Sequence, residues 1–79
     1  MMDKYYDFWL CNLPGIGYRK RKRLLEYFGS PREIFYGRKE AFDEISRLGQ
    51  KDRETIFSGR SLDLVRREYE DMERIYQKI

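Results

Sequence analysis

The spacing of helix breakers constrains this chain more than any other feature. Pro14-Gly15 and Gly17 are followed by Gly29, Gly37, Gly49 and Gly59 in a chain of only 79 residues. The intervals between them carry apolar residues at helical rather than alternating spacing, so the pattern predicts short helices and no sheet. Asp3 is placed to cap a first helix, whose face carries Tyr5, Tyr6, Trp9, Leu10 and Leu13. Pro14-Gly15 ends it, because proline disfavours the helical conformation at Leu13 and glycine permits positive φ.

A second helix is predicted from Gly17 or Tyr18, burying Leu24, Leu25 and Phe28 and stopping at Gly29. Ser30-Pro31 restarts the chain, with serine as cap, proline at the first helical position and Glu33 at capping-box spacing. Ile34, Phe35 and Tyr36 form the apolar part of that third helix, and Gly37 closes it. Residues 38–48 are expected to form a fourth helix burying Ala41, Phe42, Ile45 and Leu48. A fifth piece runs from Lys51 to Phe57, with Ile56 and Phe57 inward. Ser61 then caps a last helix with Leu62, Val65, Tyr69, Met72, Tyr76 and Ile79 at spacings of three and four. That stripe either packs on the domain itself or offers a heptad seam to a partner helix or a further domain.

The expected fold is therefore all-α, a compact bundle of about five to six short helices forming one domain over 1–79. It divides into a first hairpin unit (1–29), short helices around a second turn (30–58) and a long C-terminal helix (61–79). A chain this short buries only about 60% of its unfolded surface, so modest stability is expected. Its 41% hydrophobic residues suffice for a core, and its 39% charged residues are interleaved with them rather than blocked.

Charge is distributed unevenly. Residues 1–40 hold nine Lys/Arg against five Asp/Glu, whereas residues 41–79 hold eight against nine. The excess sits in Arg19-Lys20-Arg21-Lys22-Arg23, directly after Leu13-Pro14-Gly15-Ile16-Gly17. A helix beginning there leaves its first N–H groups without intrahelical partners, and its dipole favours an anion. Gly15 and Gly17 remove the Cβ atoms that would keep a phosphate away, while Ile16 anchors the turn in the core. The alternative is that the glycines merely join two helices. Candidate DNA-binding residues are Gly15, Ile16, Gly17, Tyr18, Arg19, Lys20, Lys22 and Arg23. Among them Arg19, Lys20 and Arg23 share spacings of three and four and are expected to face solvent together, with Lys22 to one side. Arg21 lies near the apolar face, where its stem can cover the core while its head reaches water.

Several function classes are disfavoured. There is no histidine, which removes the commonest general base and zinc ligand. Cys11 is alone, which excludes an internal disulfide and a two-cysteine metal site; it is expected in the core. Asp43, Glu44, Asp52 and Glu54 share helices with lysines and arginines and are taken as a solvated charged face. No catalytic, cofactor or metal site is expected, and the chain is not read as an enzyme. No stretch approaches the roughly 20 apolar residues of a membrane span. The chain reads as soluble and cytoplasmic. The basic run matches the crude composition of a nuclear-import signal only by chance, and Arg21 between core leucines is a local irregularity, not a broad membrane face.

"LPGIG" between two helices, followed by "RLLEYFGSPREIF", resembles a helix-hairpin-helix (SAM-like) module. More closely, it resembles the N-terminal domain of the DNA-processing protein DprA (Smf) family, through Leu13–Gly17, Leu24–Leu25 and Phe28–Pro31. The segment from Phe42 to Ile75 is similar to that family's second, degenerate hairpin and the long helix after it. Arg21 departs from the small or apolar residue usual at that position, and Leu48-Gly49-Gln50 lacks the Pro-Gly-x-Gly core, so the second hairpin is expected to be structural. The resemblance implies a bacterial protein of natural transformation, competence and DNA recombination. It implies weak, non-sequence-specific contact with the DNA phosphate backbone, and single-stranded DNA as the ligand of the parent protein. It also implies that this is the N-terminal domain of a longer protein, in which a Rossmann-like domain follows Ile79. The second functional reading is a protein-interaction or domain-packing module with a vestigial hairpin, using the 62–79 helix.

Overall fold

The computed structural model of the protein describes residues 3–77. The chain order is α1 (Asp3–Cys11), α2 (Tyr18–Phe28), α3 (Pro31–Tyr36), a 3₁₀ helix (Lys39–Glu44), α4 (Gln50–Ser58) and α5 (Leu62–Gln77). The fold is an all-α bundle, with no strand among the described residues. α1 packs against α3 and α5, and α2 packs against α3. No described helix is long and apolar enough to cross a membrane.

The breakers act as their chemistry dictates. Gly29 ends α2 at φ +96°, and its N–H donates to the Leu25 carbonyl at 2.8 Å. Ser30 caps α3 by accepting the Glu33 N–H at 3.2 Å, with Pro31 in the first turn. At Gly37 the requirement is space, since a Cβ there would lie 2.6 Å from the Phe28 ring. Ser61 Oγ accepts the Leu64 N–H at the start of α5.

Leu24, Ile34, Phe42 and Ile56 are completely buried, one each from α2, α3, the 3₁₀ helix and α4. Tyr6, Trp9, Leu10 and Leu13 join them from the first hairpin, and Val65 joins from α5. Phe42 stacks between Phe28 and Phe57, with ring centroids 4.8 and 5.1 Å away. Arg60 lies over both Phe42 and Phe57, and its Nη2 donates to the Ile34 carbonyl at 2.8 Å. Burial pulls its pKa below the usual arginine value, yet stacking and the carbonyl keep the cation within the fold.

Four sequence expectations need correction. Cys11 is exposed, because it follows Lys4 and Asp7 at helical spacing on the polar face of α1. Tyr36 is also exposed, although its hydroxyl bonds that of buried Tyr6 at 2.9 Å. That bond, followed by burial, raises the Tyr6 pKa. Asp3 lies in the first turn of α1 rather than before it. Residues 38–48 are not one α-helix, and Ala41 is only half-buried. Ile45 is extended (φ −92°, ψ 119°) and Arg47 left-handed (φ +62°), so Ile45 and Leu48 reach the core from a turn. Of the two readings of the α5 stripe, packing on the domain holds for its first part, with Leu62 against the core and Met72 half-buried. Val65 is buried and Tyr69 meets the Tyr5 and Phe8 rings edge-on at 5.2 and 5.4 Å. Tyr76 is 70% exposed, and Ile79 lies outside the described residues.

The turn at 45–49 repeats the geometry of the turn at 13–17. Leu13 and Ile45 are buried, as are Ile16 and Leu48. Gly15 has φ +76° where Arg47 has +62°. Gly17 (φ −82°, ψ −175°) and Gly49 (φ −77°, ψ 171°) cap α2 and α4 in nearly the same conformation. Their carbonyls accept the N–H of Arg21 and Arg53 at 3.0 and 3.1 Å. A left-handed non-glycine residue costs about 1–2 kcal/mol, whereas burying a leucine side chain yields about 1.5–3 kcal/mol. Leu48 burial therefore holds Arg47 in its strained conformation. Replacing Arg47 with glycine relieves that strain at some entropic cost, and should stabilise the domain by up to about 1 kcal/mol. Arg47→Val should destabilise it; urea unfolding midpoints of the two variants check the sign.

Candidate nucleic-acid interface

The first hairpin turns its apolar residue in and its amides out. Ile16 is only 3% exposed, whereas Gly15, Gly17, Tyr18 and Arg19 are exposed. Gly15 needs its glycine for φ +76°. Gly17 does not, because its conformation is ordinary and a Cβ there would meet nothing within 4 Å. Internal packing therefore does not demand a glycine at Gly17. What the missing side chain provides is open access to the start of α2.

That start is uncapped. No side chain accepts a hydrogen bond there, and the first turn of α2 contains no acidic residue. The ladder begins with the Arg21 N–H, leaving the N–H groups of Tyr18, Arg19 and Lys20 directed out of the helix end. The equivalent end of α4 also lacks a side-chain cap on its first amides, but its first turn carries an acidic residue. Asp52 Oδ2 accepts the Gly49 N–H at 3.2 Å, placing a carboxylate beside that helix end, where it opposes an external anion. Two turns of matching backbone thus differ in charge, one without a carboxylate in its first turn and one with it.

The basic run splits into distinct roles. Unlike Arg19 and Arg23, Lys20 is held in an ion pair that its spacing did not suggest. Its Nζ lies 2.9 Å from Asp52 Oδ2 and 3.1 Å from Oδ1, so the third positions of α2 and α4 touch and their charges offset. Asp52 is correspondingly not part of a solvated face, being 15% exposed, although Asp43, Glu44 and Glu54 are exposed. Asp43 pairs with Arg53 across the second turn. Arg21 is half-buried, and its Nη1 reaches back to the Ile16 carbonyl at 3.4 Å. Arg19 and Lys22 are exposed and Arg23 half-exposed. Among the described residues none of these three forms an ion pair. Lys22, set to one side by spacing alone, therefore joins Arg19 and Arg23 in the available cation set, and Lys20 leaves it.

Burial raises the Asp52 pKa, but hydrogen bonds from Lys20 and the Gly49 N–H and the Lys20 charge outweigh it, so the net displacement is downward. A lowered folded-state pKa contributes stability above the unfolded pKa, which is lost as pH falls through the folded value. Lys20 remains 35% exposed, which holds the pair to the surface range of about 0.2–1 kcal/mol. Asp52→Asn should therefore lower stability by up to about 1 kcal/mol at neutral pH. The difference from the parent should close as pH falls through the lowered Asp52 value. Urea titrations at neutral and strongly acidic pH measure both.

Compared with protein-family models, curated proteins and solved structures, the chain finds no match in any of the three.

Proposed function

We propose that this chain is an accessory DNA-binding domain that grips the phosphate backbone without sequence preference, in a DprA-like protein of the bacterial cytoplasm serving DNA uptake and recombination. The observation that carries this reading is the contrast between the two hairpins. The α2 end combines open amides, a glycine that packing does not require, and three cations without ion pairs. The matching α4 end carries the Asp52 carboxylate, which accepts the Gly49 N–H and opposes an anion there. Helix ends of the open kind bind phosphate through amides and dipole, but the dipole supplies only about 0.3–1 kcal/mol at an exposed end. Arg19, Lys22 and Arg23 supply the rest, and none has the fixed base-edge geometry that sequence reading needs. Affinity in the non-specific range of about 10⁻⁴–10⁻⁶ M follows, toward its weak end. The sequence resemblance around Leu13–Gly17 and Phe28–Pro31 is the support for the DprA-like assignment and for a following Rossmann-like domain.

A second reading takes the domain as a docking module. It is favoured by the far end of α5, where Ile75 and Tyr76 are both exposed.

Gly17→Asp separates binding from folding. Aspartate is a better cap than glycine by a few tenths of a kcal/mol, so the melting temperature should hold or rise. The carboxylate would meanwhile occupy the anion position at the α2 amides and weaken DNA binding by at least about tenfold. In the parent, three phosphate contacts predict that log K falls with log salt at a slope of about −2 to −3. Unchanged affinity in Gly17→Asp, or a slope near zero, contradicts the proposal; fluorescence anisotropy with a labelled oligonucleotide measures both.

A further inference from the structure

Tyr18 is an exposed aromatic that the fold does not use. It is the first residue of α2, it is 69% exposed, and its ring makes no aromatic stacking pair among the described residues. It forms one wall of a surface cleft of about 370 Å³, completed by Arg21, Lys22, Leu25 and Glu26. These positions are related by spacings of three and four from Tyr18, so the cleft is a single face of α2 that begins at the open amides and runs two turns along the helix. Its lining is mostly hydrocarbon: the tyrosine ring, the Leu25 side chain and the stem of half-buried Arg21.

The charges around the cleft narrow the occupant. Arg19 and Lys22 border Tyr18 on the exposed side of α2, which suits a polyanionic strand passing over it. Glu26 stands at the far rim, and a carboxylate there opposes a phosphate inside the cleft. The part of a nucleotide that is flat, uncharged and polarisable is its base. A base within a duplex already stacks on its neighbours and cannot lie on the ring; an unpaired one can.

We infer that the Tyr18–Arg21–Lys22–Leu25 cleft is a stacking subsite for one unpaired nucleobase of a strand whose phosphate is held at the start of α2. The inference rests on the nucleic-acid reading above and adds to it a source of single-strand preference. The phosphate at the Gly17–Arg19 amides and the base on Tyr18 belong to one nucleotide or to adjacent ones. The Tyr18 ring and the Arg21 guanidinium, itself steadied by the Ile16 carbonyl, offer the base a π face and a cationic edge.

The test compares an oligothymidine with an abasic oligonucleotide of equal length and charge, titrated at low salt against the full chain, Tyr18→Ala and Tyr18→Phe. The parent should bind the oligothymidine at least about fivefold more tightly, the low end of what one stacked base supplies. Tyr18→Ala should abolish that difference and Tyr18→Phe should keep it, with circular dichroism unchanged in both. Equal affinity of the parent for the two ligands, or a difference that survives Tyr18→Ala, overturns the subsite alone. Failure of the parent to bind either ligand overturns the nucleic-acid reading and the subsite with it.

Discussion

Burying one isoleucine inside a five-residue turn is the constraint on which the arrangement depends. Ile16 can reach the core between α1 and α2 only if the residue before it turns left-handed and the residue after it is extended. Removing an isoleucine side chain from water yields about 1.5–3 kcal/mol, and Gly15 meets the backbone requirement without a steric penalty. The amides that follow then have no choice but to leave the protein. The open helix end is thus a consequence of packing, and the charge of the first helical turn decides whether it attracts an anion.

The second turn is built on the same backbone and resolves it differently. Leu48 is buried as Ile16 is, and Arg47 endures the conformation that Gly15 adopts freely. Asp52 then bonds the Gly49 N–H and, by pairing with Lys20, fastens α4 to α2. One carboxylate steadies a turn, removes a lysine from the basic run and ties the two hairpins together. The hairpin with no carboxylate in the first turn of its helix is the one left open to an anion, and the cations without ion pairs lie beside it.

Much of the fold was legible because helix ends are local chemistry. Gly29, Ser30-Pro31 and Gly59 mark boundaries through residues a few positions apart. The buried residues of α1 and the core-facing Leu24, Leu25 and Phe28 of α2, of which only Leu24 is fully buried, follow helical periodicity. What was not legible depended on distant residues. Lys20 looked like a surface cation until Asp52, 32 positions away, was brought to it. Arg47 gave no sign of positive φ, since a non-glycine residue adopts it only under pressure from its buried neighbours. The break in residues 38–48 has the same origin, because no glycine or proline announces it. Cys11 was misplaced by residue type, although its spacing from Lys4 and Asp7 already put it on the polar face. Of the candidate site, the turn and Ile16 were readable, whereas the division of labour among five consecutive cations required the tertiary structure.

The central claim is that one surface, the start of α2, is where this domain meets nucleic acid. Residue-resolved amide NMR during titration with single-stranded and duplex oligonucleotides at low and high salt tests it most directly. The account predicts shifts concentrated at residues 15–23 at low salt and diminished at high salt, with the Gly49 amide little moved because Asp52 already occupies it. Shifts confined to α5, or none in residues 15–23 at low salt, would contradict it.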